Sequence, residues 1–197
     1  MIAAVVLAAG DSARMGRPKA LLEWEGGTFL EAVCRRLREA GVWDAAVVLG
    51  RDAETVLNGW RRGNERVVVN PRPDEGMISS VRLGLKALDA SPAVGAALIC
   101  LADMPAVRVE TIRFLCDEWR RNRGFMLVPR FKGKRGHPLV LDARYWHETS
   151  LAPDDQGLHW VTHRHPGTLI DVDVDDPGVV SDADTPEDYG KLVASIK

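Results

Sequence analysis

Residues 5–19, VVLAAGDSARMGRPK, decide how the rest of this chain is read. Val5, Val6 and Leu7 make a short, uninterrupted, β-branched run closed by Gly10, the pattern of a buried strand. The loop beyond it carries Arg14, Arg17 and Lys19, with Gly10 and Gly16 where a backbone takes positive φ or approaches a ligand closely. Cations and glycines at a strand end suit a polyphosphate. The same residues also read as a surface turn with solvated side chains. Neither common glycine motif is present: the spacing of Gly10, Gly16 and Lys19 departs from GxxxxGKS/T, and GxGxxG is missing.

The chain has 197 residues, enough for a substantial core, and no linker or composition break, so residues 1–197 are expected to form one domain. Its 26 basic and 28 acidic residues leave a net charge of -2, which argues against a general binder of nucleic acid or membrane surfaces. Any anion site must be local. Cys34, Cys100 and Cys116 sit in apolar-periodic stretches without metal-like spacing, which predicts buried free thiols in a reducing compartment. The N-terminus lacks a basic n-region, and no apolar run reaches the roughly 20 residues of a membrane span. The expectation is a soluble, cytoplasmic protein.

Working outward, Thr28 and Glu31 form a capping box, and Leu30, Val33, Cys34, Leu37 and Ala40 recur at helical spacing until Gly41. Strands are predicted over 45–49, 66–69, 94–101, 125–129, 139–141 and 169–174, and helices over 53–60, 107–121 and 154–165. Phe114, Leu115 and Trp119 are expected to face inward. A further helix, capped by Ser79 or Ser80, packs with Val81, Leu83, Leu85 and Leu88. Alternating strands and helices predict an α/β fold with a mostly parallel sheet, helices on both faces and the strand C-terminal ends on one edge. Ligands bind at that edge. Gly10, Asn70 and Asp103 all fall there.

Asp103, in LADMP, suits Mg²⁺, which takes one or two carboxylates plus phosphate oxygens, or else it caps the turn before Pro105. The residues from Gly76 to Ser80 offer an anion or base-edge site at a helix start, or an ordinary cap. Arg130, Lys132, Lys134 and Arg135 surround two glycines ahead of His137-Pro138, either a mobile segment closing over an anionic substrate or a solvated hairpin tip. His159, His163 and His165 read as surface histidines, and Asp171, Asp173, Asp175 and Asp176 as a half-exposed strand and its end. Thr185, Pro186 and Asp188 give a full helix-start signal. Capping leaves Asp182 and Asp184 unexplained, and both can reach the crevice.

Together LAAGDSARMGRPKALL (7–22), NPRPDEGMISSVRLG (70–84), LADMP (101–105), GKRGHP (133–138) and DADTPEDY (182–189) resemble the MobA-like nucleotidyltransferases, within them the molybdenum cofactor cytidylyltransferases. The resemblance implies a three-layer Rossmann-like fold whose first loop wraps a triphosphate, with Arg14 and Lys19 on its oxygens. It implies nucleotide binding by Leu7, Ala8, Ala9, Gly10, Asn70, Gly76, Met77, Ser79, Ser80 and Asp103. It further implies Mg²⁺ held by Asp103 and Asp184, chosen over Asp182, and an acceptor bordered by Arg135, Gly136 and His137. Ala9, where guanylyl-transferring relatives more often have glycine, looks like the cytidylyl branch. The implied reaction moves CMP from CTP to a phosphate-bearing acceptor such as molybdopterin, with a molybdoenzyme apoprotein as recipient of the product. Sugar-phosphate nucleotidyl transfer and a non-catalytic nucleotide-binding maturation factor remain alternatives. An NAD-dependent oxidoreductase is disfavoured by the missing GxGxxG.

Overall fold

A computed structural model of the chain describes residues 1–10, 15–89 and 93–194. Its centre is a sheet of strands β1 (Ile2–Ala8), β4 (Ala45–Leu49), β5 (Arg66–Val69), β6 (Ala96–Leu101), β7 (Met126–Phe131), β9 (Leu139–Asp142) and β10 (Leu169–Asp173), with the short β8 (Lys134–Arg135) paired to β7. The spatial order is β10-β7-β9-β6-β1-β4-β5. β5, β4, β1 and β6 run parallel, β9 is antiparallel to both β6 and β7, and β10 is parallel to β7. A two-residue hairpin, β2 (Glu23–Trp24) and β3 (Gly27–Thr28), stands apart. The expected mostly parallel sheet is present, with β9 and the short β8 running against their neighbours.

Alternation along β1 builds the three layers. Ile2, Ala4 and Val6 face a core completed by Leu30, Val33 and Leu37 of α1 (Phe29–Glu39) and Ile112, Leu115 and Trp119 of α4 (Val109–Arg121). Ala3, Val5 and Leu7 face the opposite core, with Ile78, Val81, Leu85 and Leu88 of α3 (Met77–Asp89). Successive strand residues point to opposite faces, so a strand buried on both sides needs an uninterrupted apolar run. Gly84 sets how closely α3 approaches: a Cβ there would lie 2.3 Å from Val5 Cγ1.

A third, smaller core carries the end of the chain back to its beginning. Leu22, Trp24, Phe29 and Ala32 pack with Ala183 and Leu192 of the C-terminal segment, which enters α7 (Pro186–Ala194). Phe29 meets Trp24 and Tyr189 edge-on, each with ring centroids 5.8 Å apart, and Tyr189 Oη donates to the Glu23 carbonyl at 3.1 Å. Helices α2 (Ala53–Gly59), α5 (Trp146–Leu151) and α6 (Gly157–Arg164) complete the layers.

The capping box of α1 forms as expected, with Thr28 N–H donating to Glu31 at 3.0 Å, and Gly41 ends the helix at φ +85°. Thr185 and Asp188 likewise bond reciprocally at the start of α7. The three cysteines are buried free thiols. Two expectations need correction. Phe114 is 42% exposed on the outer face of α4, because inward positions at helical spacing are taken by Ile112, Leu115 and Trp119. Ser79 and Ser80 do not cap α3, which begins two residues earlier at Met77; both are buried and bond to Asn70. Of the two loop glycines, Gly16 takes positive φ, at +66°. Among the described residues no helix is long and apolar enough to cross a membrane.

Candidate functional site

The C-terminal ends of β1, β4 and β6 open on a cleft of about 290 Å³. Its floor is Leu7, Ala8, Ala9 and Gly10, its sides Gly50–Asp52 and Leu101–Asp103, and its far wall Gly76, Met77 and Ser80. Gly50 lets two strand ends close up: a Cβ there would sit 2.8 Å from the Ala9 carbonyl oxygen. Gly76 turns the chain into α3 at φ +85°, and a Cβ would meet the Asp154 carbonyl at 2.6 Å. Met77 is 52% exposed, an apolar surface presented to whatever occupies the cleft.

Charge gathers at one side of the cleft. Lys19, in a short 3-10 turn after the first loop, hydrogen bonds to Asp103 Oδ2 at 3.1 Å and to Asp184 Oδ1. Asp103 emerges just past β6, where Ala102 N–H still pairs with the Leu7 carbonyl at 3.0 Å. Asp184 arrives from the far end of the chain because Ala183, fully buried in the third core, donates its N–H to the Asp103 carbonyl at 3.3 Å. Burial acts to lower the Lys19 pKa, but the hydrogen bond to Asp184 and the charge of Asp103 outweigh it, so the ammonium titrates above its ordinary range. Asp103 shifts upward, chiefly through burial, which Lys19 only partly offsets; the Asp182 charge adds to the rise. One ammonium thus faces two carboxylates, one of them reluctant to ionise. Hard oxygen donors of this kind suit a divalent cation that completes its shell with phosphate oxygens and water. Among the described residues no group of three or more His, Cys, Asp or Glu side chains is arranged to hold a metal.

The sequence-predicted residues divide accordingly. Leu7, Ala8, Ala9, Gly10, Lys19, Gly76, Met77, Ser80 and Asp103 line the cleft together. Asn70 and Ser79 lie behind its wall, bonded to each other at 2.8 Å. Arg14 lies outside the described residues. Arg135 is on the β7–β8 hairpin, paired with Asp171 at 2.6 and 3.0 Å, while Arg130 pairs with Asp173 at 2.7 and 2.9 Å. Asp171 and Asp173 of β10 therefore pair the two arginines of the basic segment, which makes a tight turn at Lys132 and Gly133. Gly136 allows that hairpin to reach the 177–181 segment, since a Cβ would overlap the Val179 carbonyl oxygen at 1.7 Å. His137 has its pKa lowered by burial against the opposing charge of Asp182, and its backbone N–H donates to the Val179 carbonyl at 2.9 Å. His165, expected at the surface, packs against Tyr145 and pairs with Glu148 at 2.6 Å, a partner supplied by α5. Sequence reasoning missed Gly50, Arg51 and Asp52. The signal is in the sequence: residues 45–49 read as a strand, and the rule that places Gly10 and Asp103 at the ligand edge applies equally to the residues after Leu49.

Comparison with known proteins bears on this site. A family model described as a MobA-like NTP transferase domain matches residues 4–168. The chain is 30% identical to a nicotine blue oxidoreductase from Paenarthrobacter nicotinovorans, over 98% of this chain and 96% of that protein. It is 23% identical to the molybdenum cofactor cytidylyltransferase of Escherichia coli K12, over 94% and 92%. Rv0371c from Mycobacterium tuberculosis H37Rv, solved in complex with manganese, superposes with a TM-score of 0.81 at 30% identity, covering 98% of both chains.

Proposed function

The chain belongs to the MobA-like NTP transferase family, a family of nucleotidyltransferases, and on that premise we propose that it transfers CMP from CTP to a phosphate-bearing acceptor, molybdopterin or a similar pterin, with release of pyrophosphate. The observation that carries this reading is the meeting of Lys19, Asp103 and Asp184 at the edge of a cleft floored by Leu7–Gly10. The identity over most of both chains with a molybdenum cofactor cytidylyltransferase supports the choice of CTP and acceptor.

Asp103 and Asp184 would hold a divalent cation, Mg²⁺ or Mn²⁺; when bound it neutralises phosphate charge as pyrophosphate leaves. The manganese complex of Rv0371c supports a divalent ion in a protein of this fold. With both carboxylates so engaged, Lys19 is left to neutralise phosphate oxygens. Arg14 supplies a second cation from the first loop. The wall from Gly76 to Ser80 receives the base, and Met77 covers an apolar face. His137, with Arg135 and Gly136, borders the acceptor. A phosphate monoester is already ionised near neutrality, so in-line attack on the α-phosphorus needs alignment and charge neutralisation rather than a general base.

Incubating the protein with Mg²⁺ or Mn²⁺, molybdopterin and each NTP in turn tests the proposal. Pyrophosphate release with CTP supports it, and release only with a hexose 1-phosphate as acceptor replaces the pterin with a sugar. A second reading, oxidoreduction in the same cleft, is favoured by the 30% identity to nicotine blue oxidoreductase. Oxidation of a reduced nicotinamide dinucleotide matched by two-electron reduction of added nicotine blue, without any pyrophosphate release, would establish it.

A further inference from the structure

His159 and His163 read in sequence as surface histidines, and the structure brings their rings together. Four residues apart on α6, they share one face of the helix, with ring centroids 3.6 Å apart and planes inclined at 37°. Both are exposed, while Leu158 and Val161 turn into the core with Ile78, Val81 and Leu85 of α3. His163 Nδ1 lies 3.0 Å from the His159 carbonyl oxygen. A carbonyl can only accept, so Nδ1 carries the hydrogen, and in the neutral ring Nε2 holds the free electron pair. Arg164, the only lysine or arginine of α6, is engaged 4.6 Å over the Trp160 ring and 3.9 Å from Glu148. His165 is not a third member, since Glu148 takes its Nε2 at 2.6 and 2.7 Å.

We infer that His159 and His163 form a two-imidazole site for a borderline transition-metal dication, Cu²⁺ most tightly and Ni²⁺ or Zn²⁺ less so. Two histidines at this helical spacing present their nitrogens to one ion. Metal–nitrogen bonds of about 2.0–2.1 Å put two ligating nitrogens roughly 3 Å apart. Rings already 3.6 Å apart reach that separation by side-chain rotation, without moving the backbone. A ring N–H donated to a backbone carbonyl fixes the orientation of a ligating imidazole and raises the basicity of its other nitrogen. Here α6 supplies that carbonyl itself, one turn before His163. Imidazole suits copper, nickel and zinc, whereas Mg²⁺ takes oxygen donors, so this pair differs in kind from Asp103 and Asp184. Among the described residues no third His, Cys, Asp or Glu joins the pair, which leaves the remaining coordination positions to water. The inference stands whether or not the cleft accepts an NTP.

The test titrates the full chain, free of any affinity tag and with Mg²⁺ in excess, with Cu²⁺, followed by calorimetry and electron paramagnetic resonance. The wild type takes up one tightly held ion whose spectrum shows coupling to two imidazole nitrogens. His159→Ala and His163→Ala each lose about tenfold or more in affinity, and the two-nitrogen pattern disappears with either. His147→Ala, which removes an exposed histidine from α5, keeps both the affinity and the spectrum. Both side chains of the pair are exposed, so neither substitution should move the melting temperature of the metal-free protein. Should an alanine variant melt lower than the wild type, His159→Gln and His163→Gln, closer to imidazole in size, take its place. Wild-type affinity or an intact two-nitrogen spectrum in either variant would overturn the inference. An equal loss in His147→Ala, or a wild type that binds no Cu²⁺ or shows coupling to one nitrogen alone, would overturn it as well.

Discussion

Lys19 and Asp184, 165 residues apart in the chain, share a hydrogen bond at the mouth of the cleft, and the same ammonium reaches Asp103 at 3.1 Å. The contact depends on the third core, where Ala183 and Leu192 pack on Leu22, Trp24 and Phe29. It follows that Phe29→Ala, a fully buried aromatic in that core, costs about 3–5 kcal/mol if the site cannot collapse, and lowers turnover by displacing Asp184. Chemical denaturation and pyrophosphate release measure the two effects. Loss of stability with full activity would sever the third core from the site.

Asp103→Asn is expected to abolish turnover without lowering the melting temperature at neutral pH. Its pKa is raised on folding, mainly by burial, so the folded state holds the proton more tightly than the unfolded chain. That favours folding at low pH and becomes a penalty as pH rises through the folded pKa. The neutral amide removes the penalty, while Lys19 keeps Asp184. A marked fall in melting temperature at pH 7 would show that the pairing with Lys19, not burial, dominates.

His137 points the other way in pH. Burial holds its pKa below the ordinary 6.5, so as pH falls past that value the unfolded chain takes up a proton that the native protein refuses. Stability should fall on acidification between the unfolded and folded pKa values. His137→Gln should flatten that part of the stability–pH curve, measured by denaturation at a series of pH values; an unchanged slope would assign the loss to other groups.

Gly136→Ala is expected to destabilise the protein by about 1–3 kcal/mol or more, since the new Cβ meets backbone that cannot rotate away. The strain falls on the 177–181 segment that leads to Asp182 and Asp184. Denaturation and activity should therefore both suffer, in contrast with Gly133→Ala, where open space leaves only the positive φ to resist substitution.

Cys34, Cys100 and Cys116 should resist thiol reagents until the protein unfolds. Burial raises all three pKa values, that of Cys116 to about 11, and suppresses the reactive thiolate. Titration with a chromogenic disulfide before and after denaturant checks this. Rapid modification of the native protein would contradict it.

Much of this was legible in the residues. Capping at Thr28 and Thr185, the turn at Gly41, and the buried runs of β1, β4 and β6 rest on local geometry or on apolar runs that bury both faces of a strand. The rule about strand ends places Gly10 and Asp103 on one edge from sequence alone. Ser79 and Ser80 misled because serine serves equally as a helix cap and as a buried hydrogen-bonding group, and only the partner, Asn70, distinguishes these. The basic segment from Arg130 to Arg135 reads in sequence either as a closing segment over an anion or as a solvated hairpin tip, and the aspartates that pair Arg130 and Arg135 lie on β10, a strand whose pairing with β7 is a long-range event.

The opening stretch by itself determined a buried strand and a glycine-containing cationic loop, because strand burial and backbone freedom are set by side chains close in sequence. It could not determine what that loop would meet. Tertiary structure decided that Lys19 stands between Asp103 and Asp184, that Gly50–Asp52 complete the cleft, and that Asn70 bonds to Ser80. Each of those contacts joins residues that only packing of the layers brings within hydrogen-bonding reach.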